Sequence, residues 1–433
     1  MEIETLYEIY KEHPVITTDS RDCPTGSVFF ALKGASFNGN AFAARALEQG
    51  CACAVVDEAA YAVAGDDRYV LVPDALQALQ QLAALHRNRL HLPVVQVTGT
   101  NGKTTTKELI AAVLGSRFRV LYTRGNLNNH IGVPLTLLRL TPEHDIAVIE
   151  TGANHPGEIA FLSRIVNPDF GLITNVGRAH LEGFGSFEGV KRTKGELYDY
   201  LRLNGGTAFL HTDDADLCGM AQGLPVLTYG TTGVGQPPRV QGEALPDGIF
   251  LTFRWRCSEG PWHEVRTRLV GGYNLANALA AVAVGLHFGV EPQQIDRALA
   301  DYTPGNNRSQ YLDTGRNHLI IDAYNANPTS MRAALENFAR MPGADKRAIL
   351  GDMRELGADS AAEHQRIVDL LVELGLEHVW LVGERFAATR HPFRSFPNVE
   401  EVRRALLSES VTGATLLIKG SNGTKLYTLP DSL

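Results

Sequence analysis

A short segment near residue 100 constrains this chain more than any other, because it joins a strand pattern to a helix pattern through two glycines. Residues 94–108 read VVQVTGTNGKTTTKE. The β-branched run at the start predicts a buried strand, and apolar residues within 109–114 recur at the spacing of one helix face. A strand, a glycine turn and a helix in this order cradle nucleotide phosphates, since backbone N–H groups and the helix N-terminus both face the anion. The segment predicts an α/β protein that binds a nucleotide.

The polar residues of this loop each have a predicted role. The loop is shorter than the general phosphate-loop pattern, with fewer residues between its two glycines. Lys103 can reach the outer phosphates, and the Thr104 hydroxyl can bind Mg²⁺. An ordinary turn before a helix is the alternative, and the flanking strand and helix favour nucleotide binding. The predicted nucleotide-binding residues are Gly99, Thr100, Asn101, Gly102, Lys103, Thr104 and Thr105.

Composition and charge limit the class of protein. The 433 residues suffice for about three domains of ~150 residues each. The N-terminus lacks a basic segment before an apolar run, and no stretch approaches ~18 consecutive apolar residues, so neither a secretory signal nor a membrane partner is expected. A net charge of −8 without a basic block argues against a nucleic-acid partner. Five cysteines without a C-x-x-C spacing fit a reducing cytoplasm.

Three segments with different patterns divide the chain. Residues 1–84 predict a small α/β domain, residues 85–304 the central phosphate-loop domain, and residues 305–433 a second, Rossmann-like domain, with the turn-rich junction 304–307 between the last two. Alternation of strands and helices predicts parallel, doubly wound sheets. Between residues 224 and 270 short strand patterns replace the helices, which predicts an antiparallel excursion on the central sheet. The other strand patterns lie at 28–32, 52–56, 70–72, 119–122, 147–150, 171–174, 319–321, 348–350, 379–382 and 416–418, and the main helix patterns at 41–49, 76–90, 156–164, 188–201, 273–288 and 292–299.

Polar residues follow two predicted strands, at the edge where an open parallel sheet binds ligands. Glu150 ends an apolar strand, where its carboxylate can hold Mg²⁺ beside the phosphate loop, although a cap or a surface ion pair is the alternative. His180 follows the next strand, and its surroundings leave a ligand and an ordinary polar residue both open. Lys191 and Lys194, on the helix pattern after it, by themselves indicate a solvated helix face.

Amide side chains form two further clusters. Asn274 and Asn277 are three residues apart and so share one helix face, and Asn274 is predicted to cap that helix rather than to meet a base. A strand pattern ends at Asp322 and is followed by AYNANPTS, a polar segment before a proline-initiated helix. Such segments bind small polar ligands, with a plain Asx turn as the alternative.

Together these strings resemble the Mur ligase family, across all three segments and in the family's order. They are most similar to its branch that adds D-alanyl-D-alanine. After KGS that branch usually continues with arginine, whereas this chain has Asn422, which leaves the role of the last loop open. The matching strings are TDSR at 18–21, FFALKGASFNG at 29–39, GTNGKTT at 99–105, GNLNNHIGVP at 125–134, AHLEGFGS at 179–186, NRSQ at 307–310, DAYNANPTSM at 322–331, GDMRELG at 351–357 and KGS at 419–421.

The resemblance implies a cytoplasmic, monomeric amide ligase of peptidoglycan precursor synthesis. Its substrates would be ATP, UDP-N-acetylmuramoyl-tripeptide and D-alanyl-D-alanine, and it would need two Mg²⁺ ions. The first domain would hold the UDP end, the central domain Mg-ATP, and the last domain would bring the dipeptide and close over the site. The tripeptide carboxylate would attack the γ-phosphate of ATP, and the dipeptide amine would then displace phosphate from the acyl phosphate.

The resemblance also assigns residues. Lys194 matches a lysine that the family carries as a carbamate, an anionic oxygen ligand that hard cations prefer to an ammonium. The implied catalytic residues are Lys103, Lys194, Glu150 and His180. The implied metal ligands are Thr104, Glu150, His180 and Lys194. Positions matching ATP contacts are Asn274, Arg308 and Asp322. Positions matching the uridine end are Ser20 and Arg21, and those near the peptide are Asn128, Asn129, Asn325 and Ser330.

Two other functions remain open at this stage. One is a different amide ligase of the same family, such as a folate polyglutamylating enzyme or an earlier Mur step. The other is a nucleotide-dependent switch without ligase activity. Retention of Glu150, His180, Lys194 and Arg308 together argues against the switch, which has no need of a second metal site.

Overall fold

The computed structural model of the chain describes residues 2–234, 237–245, 248–305 and 308–433, so Asn306 and Asn307 of the predicted junction lie outside the described residues. The described residues form three sheets, and the predicted α/β class is confirmed. No helix among them is long and apolar enough to cross a lipid bilayer.

The N-terminal sheet has four parallel strands in the order β1-β2-β3-β4. The three predicted strands and the predicted helices of this part are confirmed, whereas no pattern had indicated the helix at its start. The elements are α1 Ile3–Glu12, β1 Ile16–Thr17, β2 Val28–Phe30, α2 Ala43–Glu48, β3 Cys53–Val56, β4 Tyr69–Leu71 and α3 Ala75–Arg89. Helix α3 runs through the predicted boundary at residue 84, and Leu79 and Leu82 on it pack into one core with Leu121 and Val133 of the central domain.

The central sheet has nine strands in the order β13-β12-β11-β10-β9-β8-β5-β7-β6. Its strands are β5 Val94–Thr98, β6 Val120–Tyr122, β7 Ile146–Glu150, β8 Phe170–Ile173, β9 Thr207–His211, β10 Val226–Gly230, β11 Val240–Leu245, β12 Phe250–Cys257 and β13 His263–Val270. Its helices are α4 Lys103–Gly115, α5 Gly132–Leu137, α6 Glu158–Val166, α7 Leu181–Phe184, α8 Phe187–Asn204, α9 Ala215–Met220, α10 Leu275–His287 and α11 Pro292–Asp301. The excursion is antiparallel only from β11 to β13, since β10 pairs parallel with both neighbours.

The C-terminal sheet has six strands in the order β14-β15-β19-β16-β17-β18 and is parallel except for the β14-β15 pair. Its four predicted strands are confirmed. The elements are β14 Gln310–Asp313, β15 His318–Asp322, α12 Pro328–Arg340, β16 Lys346–Gly351, α13 Ser360–Glu373, β17 His378–Val382, α14 Glu384–Ala387, β18 Arg394–Phe396, α15 Val399–Glu409 and β19 Thr415–Lys419.

The position of β5 decides where a ligand can sit. Every residue of β5 is buried, because apolar cores cover both faces of the central sheet there. The strand pairs with β7 on one side and β8 on the other, so the chain crosses over at this point of the sheet. The carboxyl ends of these three strands therefore meet at the crevice where open α/β sheets bind ligands.

Candidate active site

A cavity of about 1030 Å³ lies at this crevice, between the central domain, α3 and the C-terminal sheet. It brings together most of the predicted site residues, which come from widely separated parts of the sequence. Those that line it are Thr100, Asn101, Gly102, Lys103, Thr105, Asn128, Asn129, Glu150, His180, Asn274, Arg308, Asp322, Asn325 and Ser330. The predicted residues that do not line it are Ser20, Arg21, Gly99, Thr104 and Lys194.

The conformation of the phosphate loop depends on its two glycines. Gly99 has a φ of +140°, and a Cβ there would lie 2.0 Å from Thr174 Oγ1. Gly102 has a φ of +79°, and a Cβ there would lie 2.7 Å from Asn277 Oδ1. Both positions therefore need glycine for backbone conformation as well as for space. Any other residue at either position would displace Thr174 or Asn277 and disturb the loop.

Lys103 is half-buried at the start of α4, not solvent-facing as a surface loop lysine would be. Its ammonium donates to the carbonyl oxygens of Gly99 at 2.8 Å and Thr100 at 3.0 Å. Burial lowers the pKa of Lys103 to about 8, an effect that Glu150 opposes and Arg308 reinforces. The cation is thus held in the loop by backbone carbonyls, and an anionic ligand beside it would raise its pKa again.

Two buried side-chain oxygens beside the loop lack a hydrogen-bond partner among the described residues. Oε1 of Glu150 accepts a hydrogen bond from Asn128 Nδ2 at 2.8 Å, but Oε2 has no hydrogen-bond partner among the described residues. The hydroxyl of Thr104 is equally buried and, within the same part of the chain, unpartnered. Unpaired buried oxygens are costly, and hard oxygen donors are what Mg²⁺ prefers. These residues fit the metal that the sequence implied.

His180, a further predicted metal ligand, contacts the C-terminal domain. His180 lines the cavity with a left-handed φ of +51°, and its Nδ1 contacts the Glu355 carboxylate of the C-terminal domain. Among the described residues no three His, Cys, Asp or Glu side chains converge on one point, so a cation here would also need oxygen ligands of other kinds.

Lys194 contradicts the solvated helix face that its local sequence indicated. It is 2% exposed on α8, and no carboxylate of the described residues pairs with it, although its ammonium lies 5.5 Å from the Phe184 ring centroid. Burial lowers the pKa of Lys194 to about 7, and repulsion from Lys103 adds to the effect. Lys191, three residues earlier, is partly exposed and pairs with Asp216 at 2.5 Å.

The Asn274 side chain does not cap α10, so that prediction is wrong. Asn274 lies at the N-cap position, but its Nδ2 donates back to Val270 O at 2.9 Å and its Oδ1 accepts from Asn277 Nδ2 at 2.8 Å. Asn277 Oδ1 in turn accepts from the Thr106 hydroxyl at 3.0 Å. These side chains instead join α10 to α4, one turn beyond the phosphate loop.

The C-terminal domain supplies charged groups to the opposite wall. Arg308 stacks over the Tyr324 ring, 4.1 Å from its centroid. Asp322 pairs with Lys419, which is 1% exposed and also lines the cavity. The sequence pattern marked Lys419 only as part of a motif, because its pairing depends on β15 and β19 being adjacent strands.

The residues matched to the peptide line the cavity, whereas those matched to the uridine end lie outside it. Asn129 Oδ1 accepts from the backbone N–H of Gly132 at 2.9 Å, and Ser330 forms a reciprocal cap with Asn327 at the start of α12. Asn325 is exposed on the cavity wall. Arg21 pairs with Asp19 at 2.8 Å in an exposed turn outside the cavity and, with its hydrogen bonds, holds the pKa of that carboxyl down at about 2.

Amide groups connect the phosphate loop to the C-terminal domain. Asn327 Nδ2 donates to Asn101 Oδ1 at 2.7 Å, and Asn101 Nδ2 donates to Asn327 Oδ1 at 3.3 Å. Asn175, after β8, holds the Asn101 backbone through both its amide atoms. Sequence reasoning missed Asn327 and Asn175 as contacts, although both stand in the polar strand-end segments that it singled out.

Comparison with known proteins accounts for this arrangement. Family models match the chain in three parts: the Mur ligase middle domain at residues 97–285, the Mur ligase glutamate ligase domain at 307–422, and the Mur ligase family catalytic domain at 14–87. The UDP-N-acetylmuramoyl-tripeptide--D-alanyl-D-alanine ligase of Bacillus subtilis is 34% identical, over 96% of this chain and 92% of its own. This chain belongs to the Mur ligase family.

Solved structures of Mur ligases share the whole fold. A crystal structure of MurF from Acinetobacter baumannii has a TM-score of 0.86 at 35% identity, covering 96% of this chain and 92% of the other. MurF ligase from Thermotoga maritima, solved in complex with ADP, has a TM-score of 0.85 at 27% identity, covering 96% of each chain. A Mur ligase similar to this one therefore binds ADP, the product of ATP consumption.

Proposed function

We propose that the chain is an ATP-dependent ligase that joins D-alanyl-D-alanine to UDP-N-acetylmuramoyl-tripeptide in peptidoglycan precursor synthesis. The observation that carries this is the cavity in which the phosphate loop, the Glu150 carboxylate oxygen that the described residues leave unpaired, amide side chains of the central domain and charged groups of the C-terminal domain meet. The named relatives decide among the family's reactions, so a folate enzyme or an earlier Mur step is the weaker assignment. A switch without ligase activity does not explain why Glu150, His180 and Arg308 line the same cavity.

The reaction proceeds in two displacements. An oxygen of the tripeptide carboxylate bonds to the γ-phosphorus of ATP as the bond to ADP breaks, which leaves an acyl phosphate. The dipeptide amine then bonds to the acyl carbon, phosphate leaves with the bonding electrons, and the amine loses a proton. Little covalent work falls to the protein, whose task is to align the reactants and neutralise phosphate charge.

Several residues have roles in this sequence of steps. Lys103 would leave the two loop carbonyls and bind the outer phosphates of ATP. Arg308 neutralises phosphate charge from the opposite wall, and Asn128 orients Glu150. Thr104, Glu150 and His180 would hold Mg²⁺, which when bound supplies positive charge opposite the transferred phosphoryl group. Asn325 and Ser330 face the peptide end, and Ser20 and Arg21 the uridine end.

We further propose that Lys194 is carbamylated. A buried lysine with a lowered pKa carries a large fraction of neutral amine near pH 7, and only the neutral amine reacts with CO₂. The carbamate would supply an anionic oxygen where the described acidic side chains provide too few ligands. A domain boundary at 304/305, a monomeric state and a cytoplasmic location complete the proposal, whereas the boundary predicted at 84/85 falls inside α3.

Phosphate release tests the proposed function directly. ATP consumption is measured with UDP-N-acetylmuramoyl-tripeptide and D-alanyl-D-alanine, together and separately, alongside a glutamate and folate pair. We expect sustained release only when both muramoyl substrate and dipeptide are present. Release with the folate pair, or release that needs no acceptor, would contradict the assignment.

Domain closure gives a second test, because two contacts join the central and C-terminal domains. One is between Asn101 and Asn327, and the other is between His180 and Glu355. We expect small-angle scattering to show a smaller radius of gyration with an ATP analogue, Mg²⁺ and the muramoyl substrate than without ligands. ADP alone serves as the control for nucleotide binding. Identical profiles in all conditions would argue against a mobile C-terminal domain.

A further inference from the structure

Lys107 is a buried lysine to which the proposed steps give no role. It lies one turn after Lys103 on α4, and none of its side chain is exposed. Its ammonium donates to the Thr123 carbonyl oxygen at 2.7 Å and lies 3.5 Å from Glu108 Oε1. Burying an ammonium is costly unless protein groups replace its water, so these contacts fix where the end of Lys107 must lie.

Thr123 connects this lysine to the predicted metal site. It follows β6 and is fully buried. Its hydroxyl oxygen accepts from the backbone N–H of Glu150 at 2.9 Å, and its own N–H donates to Val148 O at 3.1 Å. Thr123 therefore contacts both the backbone of Glu150, at the end of β7, and the ammonium of Lys107, on α4.

The loop that follows Thr123 carries the asparagines matched to the peptide-binding region. We name its residues 124–131 the asparagine loop. Asn126, Asn128 and Asn129 of this loop line the cavity. Asn128 is fixed at both ends, since its Nδ2 donates to Glu150 Oε1 at 2.8 Å and its carbonyl accepts from Gly152 N–H at 2.8 Å. The start of the loop is fixed by Lys107.

We propose that Lys107 is a positioning residue of the ligase reaction, which through Thr123 holds Glu150 and the asparagine loop in register with the phosphate loop. Lys103 and Lys107 project from the same helix, so the group that binds ATP and the group that anchors the peptide end share one rigid support. The inference rests on the proposed function, and it adds a residue that does not line the cavity.

Lys107→Met tests it, with Lys346→Met as the matched control. Lys346 also donates to a backbone carbonyl, that of Ala339 at 2.7 Å, but lies outside the cavity lining. We expect Lys107→Met to lower kcat/KM for UDP-N-acetylmuramoyl-tripeptide by about 10- to 100-fold, the cost of a small misplacement of reacting groups. The Kd for ADP should stay within about twofold of wild type, since the phosphate loop itself is untouched. Lys346→Met should change neither quantity.

A second pair of variants covers the case in which Lys107→Met fails to fold. Thr123→Val removes the oxygen that accepts from Glu150 N–H, and Thr123→Ser keeps it. We expect the valine variant to show the same selective loss and the serine variant to remain near wild type. Equal activity of the two Thr123 variants, or a Lys107→Met enzyme that matches Lys346→Met or loses ADP binding in parallel, would overturn the inference. Wild-type enzyme inactive with these substrates would instead refute the proposed function.

Discussion

Lys103→Ala is expected to reduce acceptor-dependent phosphate release by on the order of 10²- to 10³-fold, the cost of losing one group that binds developing charge. The ammonium of Lys103 donates to the Gly99 and Thr100 carbonyls and so lies directly against the backbone of the phosphate loop. Alanine removes the cation proposed to bind the outer phosphates, so we also expect weaker binding of ADP. Steady-state phosphate release and calorimetric titration of ADP measure the two effects.

Lys11→Ala provides the control for this prediction. Lys11 lies on α1, is half-exposed and pairs only with Glu8, so its loss should leave both quantities unchanged. The unfolding temperature of Lys103→Ala should stay close to that of wild type, because the side chain contributes no apolar packing to either core of the central sheet. Turnover near the wild-type rate in the Lys103 variant would remove the phosphate-loop assignment.

Lys194→Ala is expected to lower turnover by at least about 100-fold, the upper range for groups that only orient a metal ligand. Carbamylation consumes the neutral amine and CO₂ and releases a proton, so activity should rise with added bicarbonate. It should also fall as the pH drops below about 7, where the amine of Lys194 becomes protonated. Short carboxylates such as acetate should partly restore the alanine variant by supplying an oxygen ligand.

Lys191→Ala is the matched control for Lys194, since it lies on the same helix and pairs with Asp216 at the surface. We expect it to keep normal turnover and normal dependence on bicarbonate. Mass spectrometry of the intact protein under CO₂, or diffraction at high resolution, reports the modification itself. An active Lys194→Ala enzyme, or a plain ammonium beside bound metal, would refute the carbamate.

The fold was predictable where the apolar pattern of a short segment matches the side chains that the folded protein buries. Strand β5, the glycine turn and α4 form one continuous segment, and the β-branched run, the glycines and the helix-face spacing that predict it are adjacent in the sequence. The short N-terminal helix α1 and the parallel pairing of β10 were missed, because α1 packs on α3 and β10 on β9 through contacts remote in sequence.

Site chemistry was predictable only in part. Residue type and position at a strand end pointed to Glu150 and His180, but nothing local distinguished Lys194 from Lys191 on one amphipathic helix. Burial separates them: Lys194 faces the interior without a carboxylate partner, and its pKa falls accordingly. The misassigned cap at Asn274 has the same origin, since its hydrogen bonds go to Val270 and Asn277 once α10 packs on α4.

By itself the sequence determined the phosphate loop, the alternation of strands and helices, and the motifs that identify the family, because each depends on residues close together in the chain. Tertiary structure alone decided which polar groups are paired and which remain available. Asp322 is paired by Lys419 across adjacent strands, while Glu150 Oε2 and Thr104 Oγ1 have no partner among the described residues. The physical reason is that hydration, charge and pairing depend on what surrounds a side chain in space, and residues far apart in sequence supply those surroundings.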